Sequence, residues 1–164
     1  MILQILVFIL LSAITLGAGI AVVTTRNILH SAFYLILSFV GVAGLYVMLE
    51  AGFLAVVQIL VYVGAIAILI VFAIMLTRRL MSPDMVQRNA QWGWSALGAG
   101  ALLVVLSAVL GRVDWPVVER AVPEDAVQRL GQELINTYLI PFETASLLLL
   151  IALVGSIIIA REKE

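Results

Sequence analysis

The chain has 164 residues, of which 64% are hydrophobic and only 12% are charged, and its formal net charge is −1. A soluble domain has about 45–50% apolar residues, so this chain cannot cover its own apolar surface, and lipid must cover part of it. No basic patch is present to neutralise phosphates, which excludes nucleic acid as a partner. Without cysteine, and with His30 as its single histidine, the chain by itself offers neither an iron–sulfur site nor a metal site.

The first predicted element is an amino-terminal membrane helix. The sequence is apolar from Ile2 to Thr25 and has no lysine or arginine before Arg26. A secretory signal begins with a basic region and has a shorter apolar core. We therefore predict that this segment is retained as a membrane helix.

Five apolar runs along the chain predict five membrane-spanning helices. Each run is long enough to cross an apolar layer of about 30 Å as a helix, and none alternates every second residue as barrel strands do. We expect an all-α integral membrane protein that forms a single transmembrane domain over residues 1–164. The predicted spans are about 2–23, 31–49, 53–76, 93–111 and 138–160, and in the outer loop 112–137 a short surface helix over Asp125–Leu134 is possible.

The basic residues predict the orientation of the chain, because cytoplasmic loops are enriched in lysine and arginine. Five spans place the two termini on opposite sides of the membrane. The side with the carboxyl terminus carries six basic residues, namely Arg26, Arg78, Arg79, Arg88, Arg161 and Lys163. The other side carries Arg112, Arg120 and Arg129. The amino terminus is therefore predicted outside and the carboxyl terminus in the cytoplasm.

The third span has the most informative composition, because Gln58, Tyr62, Gly64 and Ala65 lie near its middle. Polar groups in hydrocarbon are costly and usually face protein or water. Gln58 and Tyr62 are four residues apart and share a helix face, and glycine has low helix propensity. Two structures fit this pattern: a π-bulge or local unwinding between about Tyr62 and Ile66, or a regular helix with a hydrogen-bonded tyrosine.

Other polar residues mark the ends of the spans. Pro141 suits a first helical position, which would place Glu143 in the first turn, where the helix dipole stabilises a carboxylate. A role for Glu143 as a proton relay is the alternative. Glu50 ends the second span as an interfacial residue, and His30 follows Asn27, a possible N-cap.

Small residues recur four apart in three spans. Such stripes let helices approach closely in lipid, and the sequence leaves open whether they pack within the chain or against other subunits. The stripes are Ala13, Gly17 and Ala21; Ala96 and Gly100; and Ala152, Ser156 and Ala160. Together with the absence of any nucleophile–base pair, metal cluster or phosphate-binding loop, this favours an accessory or coupling subunit.

Three segments resemble the chain J family of the bacterial proton-pumping NADH:quinone oxidoreductase, respiratory complex I, whose mitochondrial counterpart is the sixth subunit. QILVYVGAI (58–66) and ILIVF (68–72) resemble the family's third helix. RNILHSAFYL (26–35) resembles the start of its second helix, and PFETASLLLLIALVG (141–155) resembles its last helix. The similarity covers the chain from end to end.

The resemblance implies a cofactor-free subunit of the membrane arm, in a bacterial inner membrane. Flavin mononucleotide, iron–sulfur clusters and quinone would lie in other subunits. The expected partners are the quinone-chamber subunit, the small three-helix chain K and the antiporter-like subunits, together with the lipid bilayer.

The resemblance also implies which residues gate the proton path. The family is known for a π-bulge at the tyrosine that is Tyr62 here, in a helix whose rearrangement controls a chain of water. Gly64, Gln58 and Ala65 belong to the same site, and Glu50 and Glu143 are possible accessory groups. Some relatives have glutamate at the position of Gln58; glutamine cannot release a proton but can orient water.

Two other functions remain compatible with the sequence. One is a similar subunit of a cation/proton antiporter or membrane-bound hydrogenase. The other is a structural spacer that holds helices together without gating. The sequence does not distinguish ubiquinone from menaquinone as the quinone.

Overall fold

The computed structural model describes residues 2–77, 91–114, 123 and 125–161, and the regular structure within these ranges is helical. The chain first forms α1 (Ile2–Thr24), α2 (Ile28–Met48) and α3 (Gly52–Val57). A π-helical segment (Gln58–Ala67) continues α3 into α4 (Ile68–Leu76), and the rest comprises α5 (Trp92–Arg112), α6 (Ala126–Ile135) and α7 (Leu139–Ala160).

Five helical stretches among the described residues are long and apolar enough to cross a membrane. The third stretch, here called the third span, is Gly52–Leu76 and contains α3, the π segment and α4. The ends of the five stretches agree with the predicted spans to within one helical turn. The prediction of an all-α protein with five spans is confirmed.

The chain divides into two compact units, residues 1–118 and 119–164. The first contains α1 to α5 and the second contains α6 and α7. The single transmembrane domain therefore stays a prediction, as does the orientation. Much of the charge that predicts the orientation lies outside the described residues, namely Arg78, Arg79, Arg88, Arg120 and Lys163.

The start of α2 is capped as predicted. The Oδ1 atom of Asn27 accepts hydrogen bonds from the backbone N–H groups of Leu29, at 2.9 Å, and His30, at 3.3 Å. These donors have no partner inside the helix, so the side chain satisfies them. His30 itself is exposed in the first turn.

In the first unit, α1 and α2 approach closely where glycine in α2 meets threonine in α1. A Cβ atom added at Gly41 would lie 3.2 Å from Thr15 Cβ and 3.3 Å from Thr15 Cα. The hydroxyl of Ser38 also donates to the carbonyl of Thr15 at 3.2 Å. Small residues and interhelical hydrogen bonds are what hold helices together in lipid, and this crossing uses both.

The small-residue stripe predicted in α1 does not form this crossing. Ala13 and Gly17 are exposed, and a Cβ added at Gly17 would meet no atom of the described residues within 4 Å. The face of α1 that packs carries Thr15 and Ala18 instead, and Ala18 is 5% exposed. Packing of this stripe within the first unit is therefore excluded for Gly17.

A Schellman motif reverses the chain between α2 and α3. The N–H of Ala51 donates to the carbonyl of Tyr46 at 2.9 Å, and the N–H of Glu50 donates to that of Val47 at 3.0 Å. Glu50 has a φ of 57°, in the left-handed region where this motif usually has glycine. The turn makes α2 and the third span antiparallel neighbours, as their short connection predicts.

In the second unit, α6 is amphipathic and packs against α7. Val127, Leu130 and Leu134 share one face, and the helix passes through Gly131 without interruption. On the other face, Arg129 Nε donates to Asp125 Oδ2 at 2.8 Å. This hydrogen bond from the guanidinium lowers the pKa of the Asp125 carboxyl, which is fully exposed.

The start of α7 differs from the sequence-based expectation. The helix begins at Leu139, so Pro141 is its third residue and Glu143 lies beyond the first turn. Proline is tolerated there because the first four N–H groups of a helix have no partner inside it. The stabilisation of Glu143 by the helix dipole, which is confined to the first turn, is therefore weaker than predicted.

Candidate functional site

The third span changes its winding in the middle of the helix. Gln58–Ala67 is π-helical, and the flanking residues Val57 and Ile68 have α-helical dihedral angles. In a π-helix the backbone N–H bonds to the carbonyl five residues earlier, and such segments are mostly single turns at functional sites. The region predicted to be irregular, Tyr62–Ile66, lies inside this ten-residue segment.

The π winding brings two buried residues to the same face. Gln58 is 7% exposed and Ala67 is 1% exposed. They are nine residues apart, about two and a half turns of a regular α-helix, which would place them on opposite sides. The wider π winding completes about two turns over the same stretch, so both residues can face α2.

Among the described residues, Gln58 is the one polar residue that is buried. Its side chain makes no hydrogen bond with another described residue, and no fully enclosed polar atom in that part of the chain lacks a partner. The amide must therefore reach the surface of the chain. A buried stem with an amide at the surface can present both a donor and an acceptor to water or to a neighbouring subunit.

Tyr62 packs against an aromatic ring of α2. Its ring centroid lies 5.5 Å from that of Phe39, with 75° between the ring planes. This edge-to-face arrangement is the one that the charge distribution of aromatic rings favours. Tyr62 nevertheless remains 43% exposed, so part of the ring is free to meet other molecules.

Gly64 lies where the π backbone crowds the helix. A Cβ atom at this position would lie 3.3 Å from the carbonyl oxygen of Ile59, five residues earlier. A side chain is tolerated there only if the backbone shifts by a few tenths of an ångström. Glycine therefore suits the π winding, and both Gly64 and the following Ala65 are exposed.

The structure brings four of the six predicted site residues together. Gln58, Tyr62, Gly64 and Ala65 lie within the π segment. Glu50 lies in the turn before α3, where it is exposed, and Glu143 lies in the second unit. Neither carboxylate is therefore part of the π segment.

Phe39 is the contact that sequence reasoning missed. The signal for it lies in the short turn: Phe39 is 11 residues before Glu50 and Tyr62 is 12 residues after it. In an antiparallel helix pair these positions lie at matching depths. The faces that they occupy depend on the π winding, which the sequence does not define.

The family of the chain follows from its similarity to known proteins. The family profile of NADH-ubiquinone/plastoquinone oxidoreductase chain 6 matches residues 18–159, from α1 to the end of α7. The chain belongs to this family. As a chain 6 protein it is one subunit of a multi-subunit oxidoreductase and a multi-pass membrane protein.

Individual chain 6 relatives match over nearly the whole chain. NAD(P)H-quinone oxidoreductase subunit 6 from the chromatophore of Paulinella chromatophora is 42% identical over 165 residues, covering 97% of this chain and 78% of the relative. The chain 6 protein of Leptolyngbya boryana is 39% identical, with 98% and 81% covered. F(420)H(2) dehydrogenase subunit J of Methanosarcina mazei is 36% identical, with 94% and 89% covered.

Proposed function

We propose that this chain couples quinone reduction to proton translocation in the membrane arm of NADH:quinone oxidoreductase, through a gated water path at the third span. The observation that carries the proposal is the π segment, which contains Gln58, Tyr62 and Gly64 and leaves the amide of Gln58 at the edge of the chain. Family membership supports the assignment to a redox complex, and the π segment supports the assignment of a gate.

The physical argument begins with the environment of the π segment. Non-α backbone at membrane depth is tolerated only where it is buried in protein or lines a water-filled cavity. Tyr62, Gly64 and Ala65 are exposed on this chain, so another subunit or water must cover them in the membrane. The Gln58 amide can donate to and accept from such water, and the backbone winding decides which face it occupies.

The chain's own groups orient water instead of carrying the proton. Glutamine has no proton to release, so Gln58 can orient water but cannot carry the proton. The obligatory proton carriers then lie on neighbouring subunits, with Glu50 and Glu143 as accessory groups near the ends of the spans. Iron–sulfur clusters belong to other subunits, since this chain has no cysteine to hold them. Flavin mononucleotide and the quinone site are assigned to other subunits as well.

The proposed setting is a bacterial inner membrane, with the amino terminus outside and the carboxyl terminus in the cytoplasm. The partners are the quinone-chamber subunit, the small three-helix chain K and the antiporter-like subunits. The exposed apolar faces of α5 and α7 support such an assembly, because none of their residues is buried within its own unit.

A second candidate concerns the electron donor. The relative from Methanosarcina mazei carries the name of an F(420)H(2) dehydrogenase subunit and is 36% identical over 94% of this chain. A membrane subunit of this type can therefore serve complexes with different electron inputs. The coupling role is the same in both cases, and the donor is set by other subunits.

The test replaces Gly64 by leucine in the whole complex and measures protons translocated per NADH oxidised in liposomes. Leucine at Gly64 meets the Ile59 carbonyl and favours regular α-helix, so the proton yield should fall while NADH oxidation by an artificial acceptor persists. Leucine at Gly98, where a Cβ meets no described atom within 4 Å, is the matched control.

A second variant tests whether the effect of Gly64→Leu comes from side-chain size alone. Tyr62→Pro removes a backbone N–H and breaks the winding by a different route, and it should also uncouple the complex. Subunit content on native gels separates uncoupling from failed assembly. Full proton yield in assembled Gly64→Leu and Tyr62→Pro complexes would leave the chain as a structural spacer.

A further inference from the structure

The ring pair between Phe39 and Tyr62 joins a firmly held helix to the segment with unusual winding. On one side, Ser38 bonds to the Thr15 carbonyl and Gly41 lies against the Thr15 side chain, so α1 holds α2 on both sides of Phe39. On the other side, Tyr62 is the fifth residue of the ten-residue π segment. The contact therefore connects the packed pair of α1 and α2 to the π-helical part of the third span.

A change from π to α winding would break this contact. Each residue in a regular helix turns the chain by about 100°, so absorbing one residue of the π segment rotates one flank by that angle relative to the other. Because Tyr62 lies inside the segment, its ring cannot keep both its depth along the helix axis and its direction toward α2. We therefore expect the edge-to-face pair, observed at 5.5 Å in the π form, to be lost in the α form.

The exposed apolar side chains of the segment do not select a winding. Ile59, Leu60 and Val61 are 40%, 66% and 44% exposed, and Ile66 is 41% exposed. Side chains of this kind lie around the helix in either register and do not distinguish the two windings. Contacts with α2 are therefore needed to favour one winding, and the aromatic pair adds a specific ring contact to the burial of Gln58 and Ala67.

We propose that Phe39 is a positioning residue that holds Tyr62, and with it the π winding of the third span, in place. The expected effect of Phe39 on proton coupling rests on the proposed function, whereas its expected effect on the winding does not. Aromatic pairs contribute beyond their buried area by an amount that corresponds to a factor of about 2 to 10 in an equilibrium. Loss of the pair should change the ratio of π to α forms by that factor.

The experiment uses the purified whole complex and three variants. Phe39→Leu keeps an apolar side chain and removes the ring. Phe33→Leu is the matched control on the same helix, because Phe33 is 55% exposed and pairs with no aromatic ring in the part of the chain that the structure describes. The double exchange of Phe39→Tyr with Tyr62→Phe keeps two rings in contact and moves only the hydroxyl.

Two readouts report the winding directly. Electron cryo-microscopy with particle classification gives the fractions of π and α forms. Amide hydrogen exchange of residues 58–67, followed by mass spectrometry, reports the opening of the π form even where one form dominates. The proton yield per NADH is measured in parallel.

The proposal expects Phe39→Leu to shift the ratio of windings or the amide exchange rate by about twofold to tenfold. Phe33→Leu and the double variant should keep the wild-type winding and the wild-type amide exchange. Equal winding and equal exchange in Phe39→Leu and Phe33→Leu would overturn the proposal. So would a double variant that behaves like Phe39→Leu. A winding shift in Phe39→Leu without any change in proton yield would uphold the positioning role and refute the proposed gate.

Discussion

At the scale of single residues, Gln58 decides how the site can work. Gln58 is 7% exposed, so its amide is largely shielded from solvent within this chain and is expected to have a hydrogen-bond partner. No described residue provides one. The partner must come from water or from another subunit. The residue therefore links this chain to its surroundings without contributing a charge.

We predict that Gln58→Glu retains quinone-coupled proton pumping, whereas Gln58→Leu lowers it. A protonated glutamic acid has nearly the shape of glutamine and keeps both a donor and an acceptor, while leucine keeps only the volume. Proton yield in liposomes distinguishes the two. Equal pumping by all three residues would show that water at this position is not part of the path.

Gly64→Ala should bias the third span toward regular α-helix. Alanine is favoured over glycine in a helix interior by about 1 kcal/mol, which is about a fivefold change in an equilibrium, and its Cβ is crowded by Ile59. Gly98→Ala in α5, where the added atom meets open space, carries the same propensity change elsewhere. Classification of helix windings in both variants checks the prediction, and a similar π fraction in both would contradict it.

At the scale of the helix, the sequence predicts that the third span is irregular but not how far the irregularity extends. Gln58, Tyr62 and Gly64 stand out because polar residues and glycine are rare in a span. The length of the π segment and its packing depend on which face meets α2, and a helix that is apolar all round does not define that face. Phe39 and Ala67 were missed for this reason.

The turn between α2 and α3 offers a test of backbone strain. A non-glycine residue with left-handed dihedral angles costs about 1–2 kcal/mol, and Glu50 has a φ of 57°. In the Glu50→Gly variant, the amide hydrogen of Ala51 should exchange with solvent no faster than it does with glutamate at this position. Glu50→Val, with its branched side chain, should accelerate that exchange roughly fivefold or more. Equal exchange in both variants would show that the turn is not strained.

At the scale of the whole molecule, two of the five candidate spans are almost uncovered. No residue of α5 or α7 is buried within its own unit, although both helices are long and apolar enough to cross a membrane. Lipid or further protein surfaces must cover these helices in the membrane. A Cβ atom added at Gly100 in α5, Gly155 in α7 or Gly17 in α1 would meet no described atom within 4 Å, which leaves these positions free to approach helices of other chains.

The arrangement in the membrane is tested by fusions at two sites. The excess of basic residues on one side predicts a cytoplasmic carboxyl terminus, so green fluorescent protein fused there should fluoresce and alkaline phosphatase should be inactive. Alkaline phosphatase inserted after Asp114, in the predicted outer loop, should be active. The reverse pattern would show that the chain has the opposite orientation, with the turn at Glu50 in the cytoplasm. Because a single predicted span separates the two sites, activity of alkaline phosphatase at both sites would contradict the topology itself.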